Sequence, residues 1–257
     1  MDLDDLARLG DENLAAAWAA LGRACGGPVE VADSLTLTAT GLPIAFFNGA
    51  FLARRSADPS SAVRDALAFF DRQGVPFLMW VRDGVDDDLL AEGRGAGLRD
   101  AGRPPAMGLP VIPEPPCPLA GLELSVASTA EDVQAHRNVL TAGFGFTPDV
   151  AQQIIGDALL DHPDVAIIVG RVDGQPVTTG LLMQTGQTAG VYNIATVAAH
   201  RGNRYGEAVT WAVIAEGARR GCTQSILQSS PMGYPLYQRM GFVDLGSYLQ
   251  LEGPAAR

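Results

Sequence analysis

Val165 to Val172 is a run rich in β-branched residues, and Asp173-Gly174 after it has the chemistry of a tight hairpin turn. Val177 to Thr185 then reads as the return strand, and Gly190 to Ala198 as the next. From about Arg204 to Arg220 the pattern changes to a helix that is apolar on most sides (Val209, Trp211, Val213, Ile214), which predicts burial against a sheet. Gly221 ends it. Cys222 to Gln228 reads as a strand, Tyr234 to Met240 as a short helix and Phe242 to Leu251 as a last strand. Ahead of these, Ser128-Thr129-Ala130-Glu131 reads as a capping box opening a helix to about Ala142. Thr147-Pro148 starts a second helix, with proline at its first position.

The earlier part of the chain is less regular. Asn13 to Ala24 predicts a helix, Leu35 to Thr40 and Ala45 to Ala53 predict strands, and Ser60 to Arg72 a helix. Pro76 to Arg82 reads as a strand, Asp87 to Arg94 as a helix, and Met107 to Ile112 as a strand. The sharpest break falls from Gly102 to Pro118, which holds Pro104, Pro105, Pro110, Pro113, Pro115, Pro116 and Pro118, out of 17 prolines in the whole chain. Proline removes backbone donors, so this stretch is expected to be a linker, or an edge strand flanked by linkers. A domain boundary is placed near Pro116, giving domains 1–116 and 117–257.

Composition narrows the function classes. With 257 residues, 47% hydrophobic and 18% charged, the chain is expected to be globular. A net charge of −11, with acids in excess on both sides of Pro116, argues against a nucleic-acid surface. Every basic side chain is Arg; there is no Lys, and no function is drawn from that. The three cysteines (Cys25, Cys117, Cys222) fit no metal or redox spacing, which points to a reducing, cytoplasmic setting. No signal peptide and no membrane span are expected.

The stretch Val197-Ala198-Ala199-His200-Arg201-Gly202-Asn203-Arg204-Tyr205-Gly206-Glu207-Ala208 carries the chemistry. It reads as a strand running into a basic, glycine-containing turn that opens a helix. Free N–H groups and the positive end of the peptide dipoles at such a start suit a phosphate. Tyr237 follows 31 residues after Gly206, inside Leu236-Tyr237-Gln238-Arg239-Met240-Gly241-Phe242. The loop, this downstream motif and the element order ααβββαβαβ together resemble the GCN5-related N-acetyltransferase (GNAT) superfamily, over about Leu122 to Leu251. The resemblance implies an α/β (α+β) fold with a mixed, mostly antiparallel sheet flanked by helices. The tail of the first part's element order repeats that of the second, and Gly97-Leu98 falls where Gly241-Phe242 falls. A tandem of two such domains is therefore expected. The first copy would be degenerate, since Leu52 to Pro59 has no glycine where its phosphate loop belongs. That half is expected to bind no acetyl-CoA and to serve as a partner or as one wall of the substrate cleft.

By that resemblance the co-substrate is acetyl-CoA, the activity is N-acetyl transfer to a primary amine of a small molecule or peptide, and no metal is needed. The family loop reads Arg/Gln-x-x-Gly-x-Gly/Ala; Arg201 and Gly206 match its ends, and Arg204 replaces the middle glycine. Gly202, Asn203 and Tyr205 complete the expected phosphate contacts. The backbone of Ala195, Thr196 and Val197 would pair with the pantetheine arm. A fully paired central strand is the alternative. Ser230 stands where the family often has Asn, seven residues before the Tyr.

Tyr237 is the expected general acid for the departing thiolate, since a phenol near ~10 can protonate a thiolate near ~8.5; a core tyrosine beside Met240 and Phe242 is the alternative. Asn193 is the candidate for orienting a water, and Tyr192, His200 and Glu207 are the other groups near the cleft, none of them singled out as the base. The acid excess favours a cationic acceptor. Two further readings stay open. One is a non-catalytic acyl-CoA-binding module, suggested by Arg204 and Ser230. The other is an amino-sugar acetyltransferase of the mycothiol-synthase kind, suggested by the paired halves. A monomer is favoured over a homodimer.

Overall fold

A computed structural model describes residues 1–253 of the chain. The first half runs α1 (Leu3–Ala24), β1 (Val29–Ala32), β2 (Leu35–Thr38), β3 (Gly49–Leu52), α2 (Pro59–Gln73), β4 (Leu78–Arg82), α3 (Asp87–Gly95), β5 (Arg99–Gly102) and β6 (Pro105–Leu109). The second runs β7 (Glu123–Val126), α4 (Ala130–Phe144), α5 (Pro148–Ile154), β8 (Val165–Val172), β9 (Gln175–Thr185), β10 (Thr188–Thr196), α6 (Tyr205–Arg219), β11 (Gln224–Gln228), α7 (Tyr234–Arg239) and β12 (Val243–Glu252). Each half has three antiparallel strands (β1-β2-β3 and β8-β9-β10), then a helix, then a strand parallel to the third. The mixed, mostly antiparallel sheet flanked by helices is the fold class expected, in two like halves.

The halves are joined in one sheet, ordered β1-β2-β3-β4-β12-β6-β11-β10-β9-β8-β7, with β5 alongside β12. β6, from the first half, lies between β11 and β12 of the second. In return the distal stretch of β12, Tyr248 to Glu252, lies between β4 and β5 of the first. Register slips between Asp244 and Ser247, where Gly246 takes φ +94°, so one strand serves both halves of the sheet by bending once. The expectation of an edge strand near the proline cluster is corrected: β6 is interior. Its prolines sit where a ladder tolerates them, with Pro105 at the first residue and Pro110 beyond the last. The carbonyls of Pro104 and Pro105 accept from the Tyr248 and Ser229 amides. Residues 110–122 then carry no regular structure, as a linker should.

Three other boundaries differ from the sequence reading. Helix α1 starts ten residues earlier than predicted, and the added turns carry a charged residue, Asp11, on a buried face. Asp11 is buried and accepts from Arg82 Nε at 3.1 Å and Tyr248 Oη at 2.8 Å; burial pushes its carboxyl up to about 6. Two residues on, Asn13 donates to Met183 O (2.9 Å) and Thr185 Oγ1 (2.8 Å), pinning this first-half helix to β9. The predicted strand Ala45 to Ala53 begins as a 3-10 turn, Ala45–Phe47. Buried Asn48 causes this: its amide donates to Leu42 O, Ile44 O and Pro76 O and accepts from the Thr40 amide, satisfying a bend that an apolar count cannot see. The capping box is shifted by one residue, to Thr129 and Asp132.

The exchange has two measurable outcomes. Residues 117–257 produced alone lack β6, which leaves β11 with only β10 beside it and β12 with no partner strand; they are expected to aggregate or stay unfolded by circular dichroism and gel filtration, while the full chain melts in one transition. A folded, monomeric 117–257 would contradict the exchange. Asp11→Ala strands Arg82 and is expected to lower urea-unfolding stability by about 3 kcal/mol.

Candidate active site

The site forms where β10 and β11 part. Their parallel pairing ends at Gly190↔Ile226, and beyond it β10 continues to Thr196 with only β9 beside it. A bulge sits in this free stretch: the register with β9 slips between Tyr192 and Ala195, and Asn193 takes φ +54°. The Val197 amide donates to Val177 O at 3.0 Å, and Thr178 Oγ1 donates to Ala195 O at 2.9 Å. By strand alternation those two residues turn their backbone toward β9, and Thr196 turns its N–H toward the gap. The expectation that Ala195, Thr196 and Val197 all offer free backbone is thus corrected to Thr196 alone. At that position β10 offers its N–H for a ladder-like contact.

From the gap the chain turns into α6. Among the described residues none accepts a hydrogen bond from the backbone amides of Gly202, Asn203, Arg204, Tyr205, Gly206 or Glu207. This is the start of a 15-residue helix, so six unpaired donors and the positive dipole end converge. Arg204 adopts φ +62°, the left-handed conformation a glycine would take, at about 1 kcal/mol for an L-residue. The substitution therefore leaves the loop's backbone path intact. Its guanidinium is exposed and folds back on Glu207, at 2.8 and 3.0 Å, and this hydrogen bond holds the Glu207 carboxyl below its usual range. Arg201 donates to Thr196 O (3.3 Å) and Gly143 O (2.9 Å), so its charge braces the end of β10 against α4 rather than standing free in the loop. Gly143 is required there: a Cβ would press on Ala195.

The first half has the same corner, closed. Counting from the cap of α2 (Asp58), Ser56 and Ala57 occupy the places of Gly202 and Asn203. The Ser56 amide donates to Asp86 Oδ2 (2.7 Å), the Ala57 amide to Asp33 Oδ2 (3.0 Å) and the Ser61 amide to Asp58 Oδ1 (3.0 Å). Pro59, at the place of Tyr205, has no N–H to give. The Ser56 hydroxyl and the Ala57 amide, both donating to Asp33, hold its carboxyl below the ordinary range.

Across the gap, Tyr237 lies on α7, buried to 8% exposure, with its ring 5.7 Å from Phe242. Burial raises its phenol to about 12, against a smaller downward pull from Thr210. Ser230 Oγ accepts from the Gly233 amide at 3.1 Å, so it shapes the turn into α7. Tyr192, another candidate near the cleft, donates to Asn13 Oδ1 at 2.7 Å, and burial drives its phenol far above the normal value. His200 stays in the loop, its carbonyl bound by Asn203 Nδ2.

Tyr237, Asn193, Ser230 and Tyr192 line one cavity of about 520 Å³ at the seam of the two halves. Trp18, Phe46 and Trp80 of the first half form its opposite wall, which composition and periodicity did not single out. Among the described residues no cluster of three or more His, Cys, Asp or Glu is placed to hold a metal, and no helix is long and apolar enough to cross a membrane.

Comparison with known proteins gives the following. Residues 134–242 match the model of the acetyltransferase (GNAT) family. No curated protein sequence matches the chain. A GCN5-related N-acetyltransferase from Kribbella flavida is similar in structure at TM-score 0.68 and 18% identity, covering 93% of this chain and 95% of its own. One from Sphaerobacter thermophilus gives TM-score 0.63 at 16% identity, over 87% and 78% of the two chains. A tandem GNAT protein from the clavulanic acid biosynthesis pathway gives TM-score 0.56 at 14% identity, over 87% and 79%. These likenesses extend through both halves.

The open helix start makes a prediction with two signs. Asn203→Asp puts a carboxylate among the free amides. It should leave thermal stability unchanged or raise it by about 0.5 kcal/mol through the dipole, while weakening coenzyme A binding about tenfold by repulsion. Calorimetric titration alongside a melt reads both; unchanged binding would remove the diphosphate from this corner.

Proposed function

We propose that the chain, whose residues 134–242 match the acetyltransferase (GNAT) family model, transfers the acetyl group of acetyl-CoA to a primary amine by direct attack, at the gap between β10 and β11. The observation carrying this reading is the junction of two features: six unpaired amides at the start of α6 open onto a splayed strand that leads to a buried, protonated tyrosine.

The amides from Gly202 to Glu207 would take the diphosphate, which suits a helix N-terminus. Thr196 N–H would bind the pantetheine arm as an added strand. A Cβ at Gly206 would stand at ordinary contact distance, 3.7 Å, from Thr196 Oγ1, so the space between the helix start and Thr196 is open even to a small side chain. Arg201 holds the loop to the strand and so positions both sets of donors. The backbone at the Asn193 bulge lies at the parting of the strands, where an N–H can polarise the acetyl carbonyl.

Tyr237 is the proton donor to the leaving thiolate. A phenol raised to about 12 is a weak acid, yet the thiolate forming beside it is desolvated too. Burial of the same kind raises the Cys222 thiol to about 11 in this protein. As the C–N bond forms and the C–S bond breaks, the attacking nitrogen becomes acidic. Its proton replaces the one Tyr237 gives to sulfur, so the tyrosine relays a proton rather than losing one. The left-handed backbone at Arg204 speaks for retained coenzyme binding and against the reading of Arg204 as damage.

Tyr237→Phe keeps the ring and removes the proton. It should lower kcat about a hundredfold and leave the acetyl-CoA Kd within about twofold. Thiol release and calorimetric titration measure the two; an undiminished kcat would sink the assignment.

A further inference from the structure

Aromatic rings run without a break across the seam between the halves. Trp80 lies 6.3 Å from Phe46, Phe46 lies 5.4 Å from Phe47, Phe47 lies 5.4 Å from Phe146, and Phe146 lies 5.5 Å from Phe144. All five line the cavity of about 520 Å³ that Tyr237 also borders. Phe46 and Phe144 are 46% and 50% exposed, so aromatic edges flank the cavity's solvent side. A volume of this size suits a ring-bearing small molecule.

The charges are as telling. Among the described lining residues the sole ionised side chain is Arg103, and it is paired with Asp83. No Asp, Glu, His or Cys faces the cavity. The expected cationic acceptor finds no carboxylate here; the acid excess lies elsewhere on the molecule. Moving an ammonium into such walls is unfavourable, and aromatic faces, worth about 2 kcal/mol or somewhat more when desolvated, return only part of it. An ammonium held there also lacks the lone pair needed for attack. Nothing in the lining takes its proton: Tyr192 is committed to Asn13 with its phenol far above normal, and Tyr237 is protonated. Polyhydroxylated acceptors fare no better, because the polar lining is mostly Asn193 and residues 228–230, which belong to the strands and turn around Tyr237.

Taking the transferase reading as given, we propose that the acceptor is an aromatic-bodied amine whose nitrogen is neutral at pH 7, an arylamine or aryl hydrazide. Conjugation with the ring in an arylamine, or electron withdrawal by the neighbouring acylated nitrogen in a hydrazide, makes such nitrogens far less basic than alkylamines, so attack needs no base. The lone pair forms the C–N bond to the acetyl carbonyl, the C–S bond breaks, and the nitrogen's proton reaches sulfur by way of Tyr237.

The isomers 4-ethylaniline and 2-phenylethylamine have the same atoms and differ in basicity. With the full-length protein and acetyl-CoA at pH 7, thiol release should give 4-ethylaniline at least about a tenfold higher kcat/KM, with phenylethylamine gaining as pH rises to 9. Spermidine and glucosamine should fall further below. Phe46→Leu, at the half-exposed rim, should raise the acceptor KM about fivefold or more and leave the acetyl-CoA Kd unchanged. Preference for spermidine, glucosamine or phenylethylamine at pH 7 overturns the acceptor assignment, as does bound acetyl-CoA with no turnover of either aromatic probe. Absence of acetyl-CoA binding instead overturns the transferase reading itself.

Discussion

The exchange of β6 for the distal part of β12 is the constraint on which the molecule rests. Each half lacks a strand that only the other supplies. Neither ladder closes until both have folded, so the hydrogen bonds of one half become a condition of the other's. Helix α1 is bound to the same logic. It belongs to the first half by sequence, yet Asp11 is held by Arg82 and Tyr248 and Asn13 by Met183 and Thr185, partners drawn from both sides. The seam is therefore a packed interior, and the cavity lying in it is shaped by rigid elements rather than by two surfaces free to slide.

Function on the proposed reading uses that rigidity at two places. The start of α6 needs its amides held open, and Arg201 does this by tying β10 to α4. The acceptor cavity needs walls that keep water out, and Trp18, Phe46 and Trp80 reach it from the half without an open loop. One half thus presents the nucleotide corner and both halves build the acceptor side.

How far the sequence reaches can be judged from particular residues. The hairpin at Asp173-Gly174, the buried helix after Arg204 and the strand after Gly221 were legible because local period and turn chemistry decide them. Resemblance drew attention to the turn before α6, whose amides stand open, and to Tyr237, which borders the cavity; their roles belong to the proposal. What failed was non-local. Asn48 folds a bend out of a segment whose apolar content reads as strand. The helix read from Asn13 begins at Leu3, and Asp11 in the added turns is held by Tyr248, 237 residues away. Strand alternation assigns Ala195 and Val197 to β9, which requires knowing the register. The interior place of β6 was hidden by its prolines, which mark edges unless a partner strand arrives from far along the chain. The aromatic wall had no local signal at all; Phe46, Trp80 and Phe144 meet only in space.

The carboxylates of Asp33, Asp58 and Asp86 carry one more consequence. A helix start that has taken in its own counter-ions has no appetite left for phosphate. Two corners of like build therefore differ in kind: the α2 corner is electrically sated, the α6 corner hungry. However alike the halves look as ribbons, on the proposed reading the chain takes one nucleotide and not two, the second place being closed by three short acidic side chains.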